Sequence, residues 1–156
     1  MLSTNDILQI LPHKHPYLLI DRIIELQEGE RAVGLKAVSY AEGVFAGHFP
    51  EDPVLPGALI VEASSQVAGF IVYSNGKLFG YMVEIKAFRF HKPAKPGCLL
   101  RIEAQKTKKR SLFLEVDITV KANEEHIASG TLVMFINKNT PISKMQTQQA
   151  GSHDTH

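Results

Sequence analysis

Pro56-Gly57-Ala58-Leu59-Ile60-Val61-Glu62-Ala63-Ser64-Ser65-Gln66-Val67-Ala68-Gly69-Phe70-Ile71-Val72-Tyr73 is the stretch that decides the fold. From Gly57 to Tyr73 apolar residues fall on almost every side of a helical wheel, and a helix apolar all round is a buried one. Pro56 suits its first turn, where a missing N–H is no loss. Asn75-Gly76 supplies a stop. The run falls short of the roughly 20 apolar residues that cross a bilayer, and Glu62, Ser64, Ser65 and Gln66 interrupt it. It is the core of a globular domain.

Upstream, Ser3-Thr4-Asn5-Asp6 before Ile7-Leu8 and Ile10-Leu11 predicts a short capped helix stopped by Pro12. Tyr17–Leu26 reads as a strand, and Gly29 turns it into a second over Arg31–Ser39. Ala41–Gly57, with its glycines, prolines and two phenylalanines, is a loop of functional length. Downstream, Leu78–Phe90, Leu99–Thr107, Leu112–Lys121 and Ile127–Ile136 read as strands separated by Pro-Gly, Lys-Lys-Arg and Asn-Glu-Glu turns. Alternation is clear in Leu112, Leu114, Val116, Ile118 and Val120. Asn139–His156 is polar and without period, and is expected to be a disordered tail on a domain spanning 1–138. The fold class is α+β, an antiparallel sheet around one long helix. One sheet covers one side of that helix, so a second copy of the chain is expected on the other.

The bulk numbers narrow the functions. The 156 residues suit one core, and 44% apolar with 21% charged is ordinary for a globular protein. A formal charge of +1 argues against a nucleic-acid binder driven by bulk charge. The start of the chain has no basic, apolar leader, and the single cysteine, Cys98, suits a reducing compartment. A cytoplasmic enzyme or binding domain, without a membrane span, is the expectation.

Chemistry concentrates in Ala46-Gly47-His48-Phe49-Pro50 and the start of the helix. Glu62, among Leu59, Ile60, Val61 and Ala63, sits where burial disfavours the charged form, so a protonated acid is expected. His48 has the side chain best suited to take a proton near neutral pH. A loop histidine alone is more often bonded to backbone, and a lone buried Glu is functional about half the time, because burial without purpose is costly. The helix start at Gly57 offers unpaired N–H groups and a positive dipole end for a carbonyl oxygen. Base, acid and oxyanion donor are what β-elimination of water from a β-hydroxyacyl thioester requires.

Gly47-His48-Phe49-Pro50, Pro53-Val54-Leu55-Pro56-Gly57 and Glu62-Ala63-Ser64-Ser65-Gln66 together resemble the signature of the β-hydroxyacyl-acyl-carrier-protein dehydratases of fatty acid synthesis. Leu11-Pro12-His13 through Pro16-Tyr17-Leu18-Leu19-Ile20-Asp21-Arg22 resembles the family's N-terminal motif, and Phe88-Arg89-Phe90, Pro93 and Pro96-Gly97 its later strand and turn. The match runs in order over about residues 7–137, and the 14-residue interval from His48 to Glu62 fits too. The resemblance implies the hot-dog fold, with no cofactor and no metal. It implies that His48 abstracts the α proton, Glu62 protonates the departing β hydroxyl, and the Gly57 N–H meets the thioester carbonyl. It also implies a pair completed across a homodimer, dimers that often assemble into hexamers, and an acyl carrier protein as partner. Glu rather than Asp at 62 is similar to the general dehydratase branch, not the dehydratase–isomerase branch. His15, Cys98 and Glu51-Asp52 depart from the family pattern.

Two rivals share the fold expectation: an acyl thioesterase, and a non-catalytic acyl-binding module. His48 speaks against the first, an ionisable residue in the helix against the second. His13-Lys14-His15 lacks the nearby carboxylate or cysteine that a metal site needs. His91 is read as a surface residue, and Cys98 as structural, with no basic partner. Lys106, Lys108, Lys109 and Arg110 read as a basic hairpin tip, by default a solvated turn and more sharply a docking patch for the acidic carrier.

Overall fold

A capping box opens the first element. The Ser3 hydroxyl accepts the Asp6 N–H, the Asp6 carboxylate accepts the Ser3 N–H, and α1 runs Thr4–Ile10. The computed structural model describes residues 1–73 and 79–137. Next come β1 (Arg22–Gln27) and β2 (Arg31–Ala37), joined through Gly29 at φ +77°. The strand expected from Tyr17 begins only at Arg22. Tyr17 and Leu18 donate back to the Lys14 carbonyl in a turn, and the Leu19 N–H goes to the Gln66 side chain at 3.0 Å rather than to a neighbouring strand. Leu19 and Ile20 are apolar because they enter the core, not because they pair.

The loop between β2 and the central helix holds one short 3-10 turn, Gly43–Ala46. The central helix α2 is regular over Gly57–Gly69 and tightens into a 3-10 turn at Phe70–Val72. The expected stop at Asn75-Gly76 and the expected tail from Asn139 lie outside the described residues. Then follow β3 (Phe79–Phe90), β4 (Leu99–Arg110), β5 (Phe113–Ala122) and β6 (Glu125–Asn137).

All pairings are antiparallel, in the order β1-β2-β4-β5-β6-β3. The strand that follows α2 in the chain therefore lands at the far edge. Helix α2 lies chiefly across β4 and β2. Gly34 on β2 allows the closest approach: a Cβ there would stand 2.4 Å from Val67 Cγ2. On β5 the inward row Leu114, Val116, Ile118 and Val120 is buried, as alternation predicts. Leu112 breaks that row and lies exposed in the turn. The turn is Ser111-Leu112, with Ser111 at φ 51°, so Lys108, Lys109 and Arg110 belong to β4. Polar composition suggested a turn there because the end of β4 projects past the core and is exposed on both faces.

Candidate functional site

The 3-10 turn carries His48 into place. Its N–H donates to the Val44 carbonyl at 3.0 Å, and its carbonyl accepts from the Val54 N–H at 3.3 Å. The ring is fixed as well: Nδ1 lies 2.8 Å from the Val54 carbonyl oxygen. A carbonyl only accepts, so Nδ1 carries the hydrogen and a neutral ring keeps its lone pair on Nε2. Bonding to backbone therefore leaves His48 with a free acceptor nitrogen rather than using up its ring. Phe49 stacks on the imidazole with ring centroids 4.1 Å apart.

His48 lines an open cleft of about 400 Å³ with Gly57, Ile60, Phe90, His91 and Ala94. Gly57 is the first residue of α2, where the N–H has no helical carbonyl to bond. It must be glycine for Phe90 to sit where it does, because a Cβ would stand 2.7 Å from the ring's Cζ. His48 and the Gly57 N–H therefore line one space.

Glu62 does not enter it. Five residues on from Gly57, it points about 140° around α2. Its carboxyl lines a separate, smaller opening with Leu11, His13, Gln66, Met82 and Met134. The setting is less apolar than the sequence around Glu62 suggests. Gln66, one turn on, donates from Nε2 to Glu62 Oε1 at 2.9 Å, and His13 Nε2 stands 3.5 Å from the same oxygen. Gln66 is itself clamped: its Nε2 also donates to the Tyr17 carbonyl, and its Oε1 accepts the Leu19 N–H. Burial pushes the His13 imidazole below the ordinary histidine range, against the opposing pull of Glu62. One chain thus brings His48 and Gly57 together and leaves Glu62 elsewhere.

A FabA-like domain matches residues 11–131. The chain belongs to the FabA-like family. A 3-hydroxyacyl-(acyl-carrier-protein) dehydratase FabZ from Caldanaerobacter subterraneus subsp. tengcongensis is 45% identical over 139 residues, 86% of this chain and 97% of that protein. The protein of that name from Clostridioides difficile is 40% identical over 140 residues, 87% and 98% of the two chains. Among solved structures, the dehydratase heterocomplex ApeI:P from Xenorhabdus doucetiae aligns with TM-score 0.74 at 18% identity, covering 93% of this chain and 97% of that one. A hypothetical thioesterase with coenzyme A from Streptococcus pneumoniae aligns with TM-score 0.61 at 16% identity, covering 77% and 88%. These two speak for the hot-dog fold alone.

The FabA-like span contains every residue of both openings except Met134 and Ile136. Sequence reasoning missed His13 and Gln66 as neighbours of Glu62. Gln66 was within reach, because four residues on a helix share a face. His13 had no local signal tying it to position 62. Phe90 and His91 at the His48 cleft were equally hidden, although His91 is exposed as expected. The basic residues Lys106, Lys108, Lys109 and Arg110 stand at the other end of the sheet from Phe90. Lys106 pairs with Glu30 at 2.5 Å. Lys109 lies in a continuous row Lys109–Leu114–Met134–Met82, level with the Glu62 opening. Cys98 is held as a thiol by burial, which suits a structural residue.

Proposed function

We propose that this FabA-like chain removes water from a (3R)-hydroxyacyl thioester on an acyl carrier protein, giving the trans-2-enoyl thioester, within fatty acid or related acyl-chain synthesis. His48 Nε2 takes the α proton, and that C–H pair becomes the Cα–Cβ double bond as the β C–O bond breaks. The departing oxygen takes the Glu62 proton and leaves as water. The Gly57 N–H receives the negative charge that builds on the thioester carbonyl. The proton on His48 then returns to Glu62, so the cycle needs no redox partner. The observation that carries this reading is the Nδ1–Val54 bond, which leaves His48 a base in the same cleft as Gly57.

The base and acid open on different faces of one chain, so we propose that each site takes His48 from one copy and Glu62 from another. The edge strand β3 supports this: Met82, Val83, Ile85 and Phe90 all lie exposed along it. An unpaired apolar edge is normally covered, and a second β3 covers it most economically. Assembly to a hexamer, a cytoplasmic setting, and a folded unit of residues 1–138 complete the proposal. Among the described residues no helix is long and apolar enough to cross a membrane.

Co-expression tests the shared site directly. Glu62→Gln and His48→Ala, each inactive alone, should together restore about a quarter of wild-type crotonyl-thioester hydration, because half the dimers are mixed and each holds one intact site. Sites built within one chain would give no restoration. Release of free thiol in place of hydration would establish a thioesterase instead.

A further inference from the structure

The Glu62 carboxyl is held asymmetrically. Oε1 receives the Gln66 amide at 2.9 Å and faces His13 Nε2 at 3.5 Å, while Oε2 takes part in neither contact. The His13 ring stacks loosely on Tyr17, with centroids 6.1 Å apart, and its Nδ1 is buried without a hydrogen-bond partner. A buried N–H left unpaired is rarer in proteins than a buried acceptor left unpaired. The neutral ring therefore favours the tautomer with its hydrogen on Nε2, turned to Glu62, and the bare lone pair on Nδ1. Burial, which keeps the imidazole neutral, supports the same assignment.

We propose that His13 is a positioning residue for the acid: with Gln66 it supplies a second N–H to Oε1 and so confines the carboxyl proton to Oε2. An oxygen that accepts two N–H donors is the carbonyl oxygen of a carboxylic acid, and the other oxygen is the one that can give a proton away. The acid is thereby aimed without any contact between His13 and substrate. At 3.5 Å the contact is long, and catalytic hydrogen bonds tighten when substrate binds. This inference rests on Glu62 being the acid of the proposed dehydration.

Three variants of the full chain test it by hydration of a crotonyl thioester. His13→Phe keeps the ring against Tyr17 and loses the donor; its kcat should fall about tenfold with KM nearly unchanged, the smaller end of what a misaimed proton donor loses. His13→Gln places an amide N–H near the position of Nε2 and should recover most of that loss. Glu62→Gln, run beside them, should be inactive. Wild-type kcat in His13→Phe would overturn the proposal. So would equal losses in the Phe and Gln variants with matching drops in melting temperature, because His13 would then be a packing residue only. Substantial activity in Glu62→Gln would instead overturn the acid assignment on which the proposal stands.

Discussion

The two openings that flank α2 are built in opposite ways. The His48 cleft is held by backbone: the Val44 carbonyl, the Val54 carbonyl and N–H, and the first turn of a helix set its geometry. The Glu62 opening is held by side chains, with Gln66 and His13 on one carboxyl oxygen and Gln66 in turn clamped by the Tyr17–Leu19 segment. Backbone framing tolerates change in neighbouring side chains, whereas a side-chain relay passes every substitution on to the Glu62 carboxyl. A base must be held in one tautomer, which a single carbonyl achieves. An acid must present one oxygen of two, which takes several donors.

The comparison can be broken most sharply at the two proposed reacting groups. His48→Ala and Glu62→Gln should each lower turnover by at least roughly a hundredfold, the scale of general acid–base catalysis, with the folded state retained. Near-normal turnover in either purified variant would end the equivalence of the two openings. Gly57→Ala probes the backbone-framed side. Its Cβ must displace the Phe90 ring, which is half exposed in one chain, while Ala itself favours a helix. Turnover should fall about tenfold at an unchanged melting temperature, on the scale that small misplacements produce. A large loss of stability instead would show that Phe90 has nowhere to go. Charge reversal at Lys108 and Lys109 probes the surface level with the Glu62 opening. The apparent KM for carrier-bound substrate should rise a few-fold, the change shrinking at high salt, with a small N-acetylcysteamine thioester unaffected. Equal effects on both substrates would mean disturbed folding, and no effect would move docking to the His48 side.

The smallest effect concerns pH. The folded-state pKa of His13 is depressed by burial, so the unfolded chain binds a proton more readily. Its contribution to stability is present above the ordinary histidine value of 6.5 and is lost as pH falls toward the folded-state value. Melting temperature should therefore drop less on acidification in His13→Gln than in wild type. Parallel pH curves for the two proteins would remove His13 from the account.

Much of this was legible in the residues. The all-round apolar run at Gly57–Tyr73 announced the buried helix, and period-two alternation announced β5, because both signals are local. Strand order is not local, so nothing in the sequence set β3 at the edge beside β6. Tyr17–Asp21 was read as strand from its apolar content, but the Leu19 N–H and the Tyr17 carbonyl bond the Gln66 side chain, a partner no periodicity reveals. His48, Gly57 and Glu62 stood out by chemistry and by the motifs around them. That one chain parts them into two openings follows from the angle between Gly57 and Glu62 on a helix, and it becomes plain only once the sheet closes one side. Lys108–Arg110 misled for the converse reason, since a strand end free on both faces has a loop's composition.

Gln66 has one more consequence, in the timing of manufacture. The amide joins Leu19 and Tyr17 to a residue 47 and 49 positions later. At roughly 5–20 residues per second of synthesis, the early segment waits between about two and ten seconds for its clamp. β2 waits longer still, because its second partner is β4. Until then Leu19 and Ile20 have no helix to cover them. A chain released short of α2 is left with bare apolar surface, which marks it for removal by proteases.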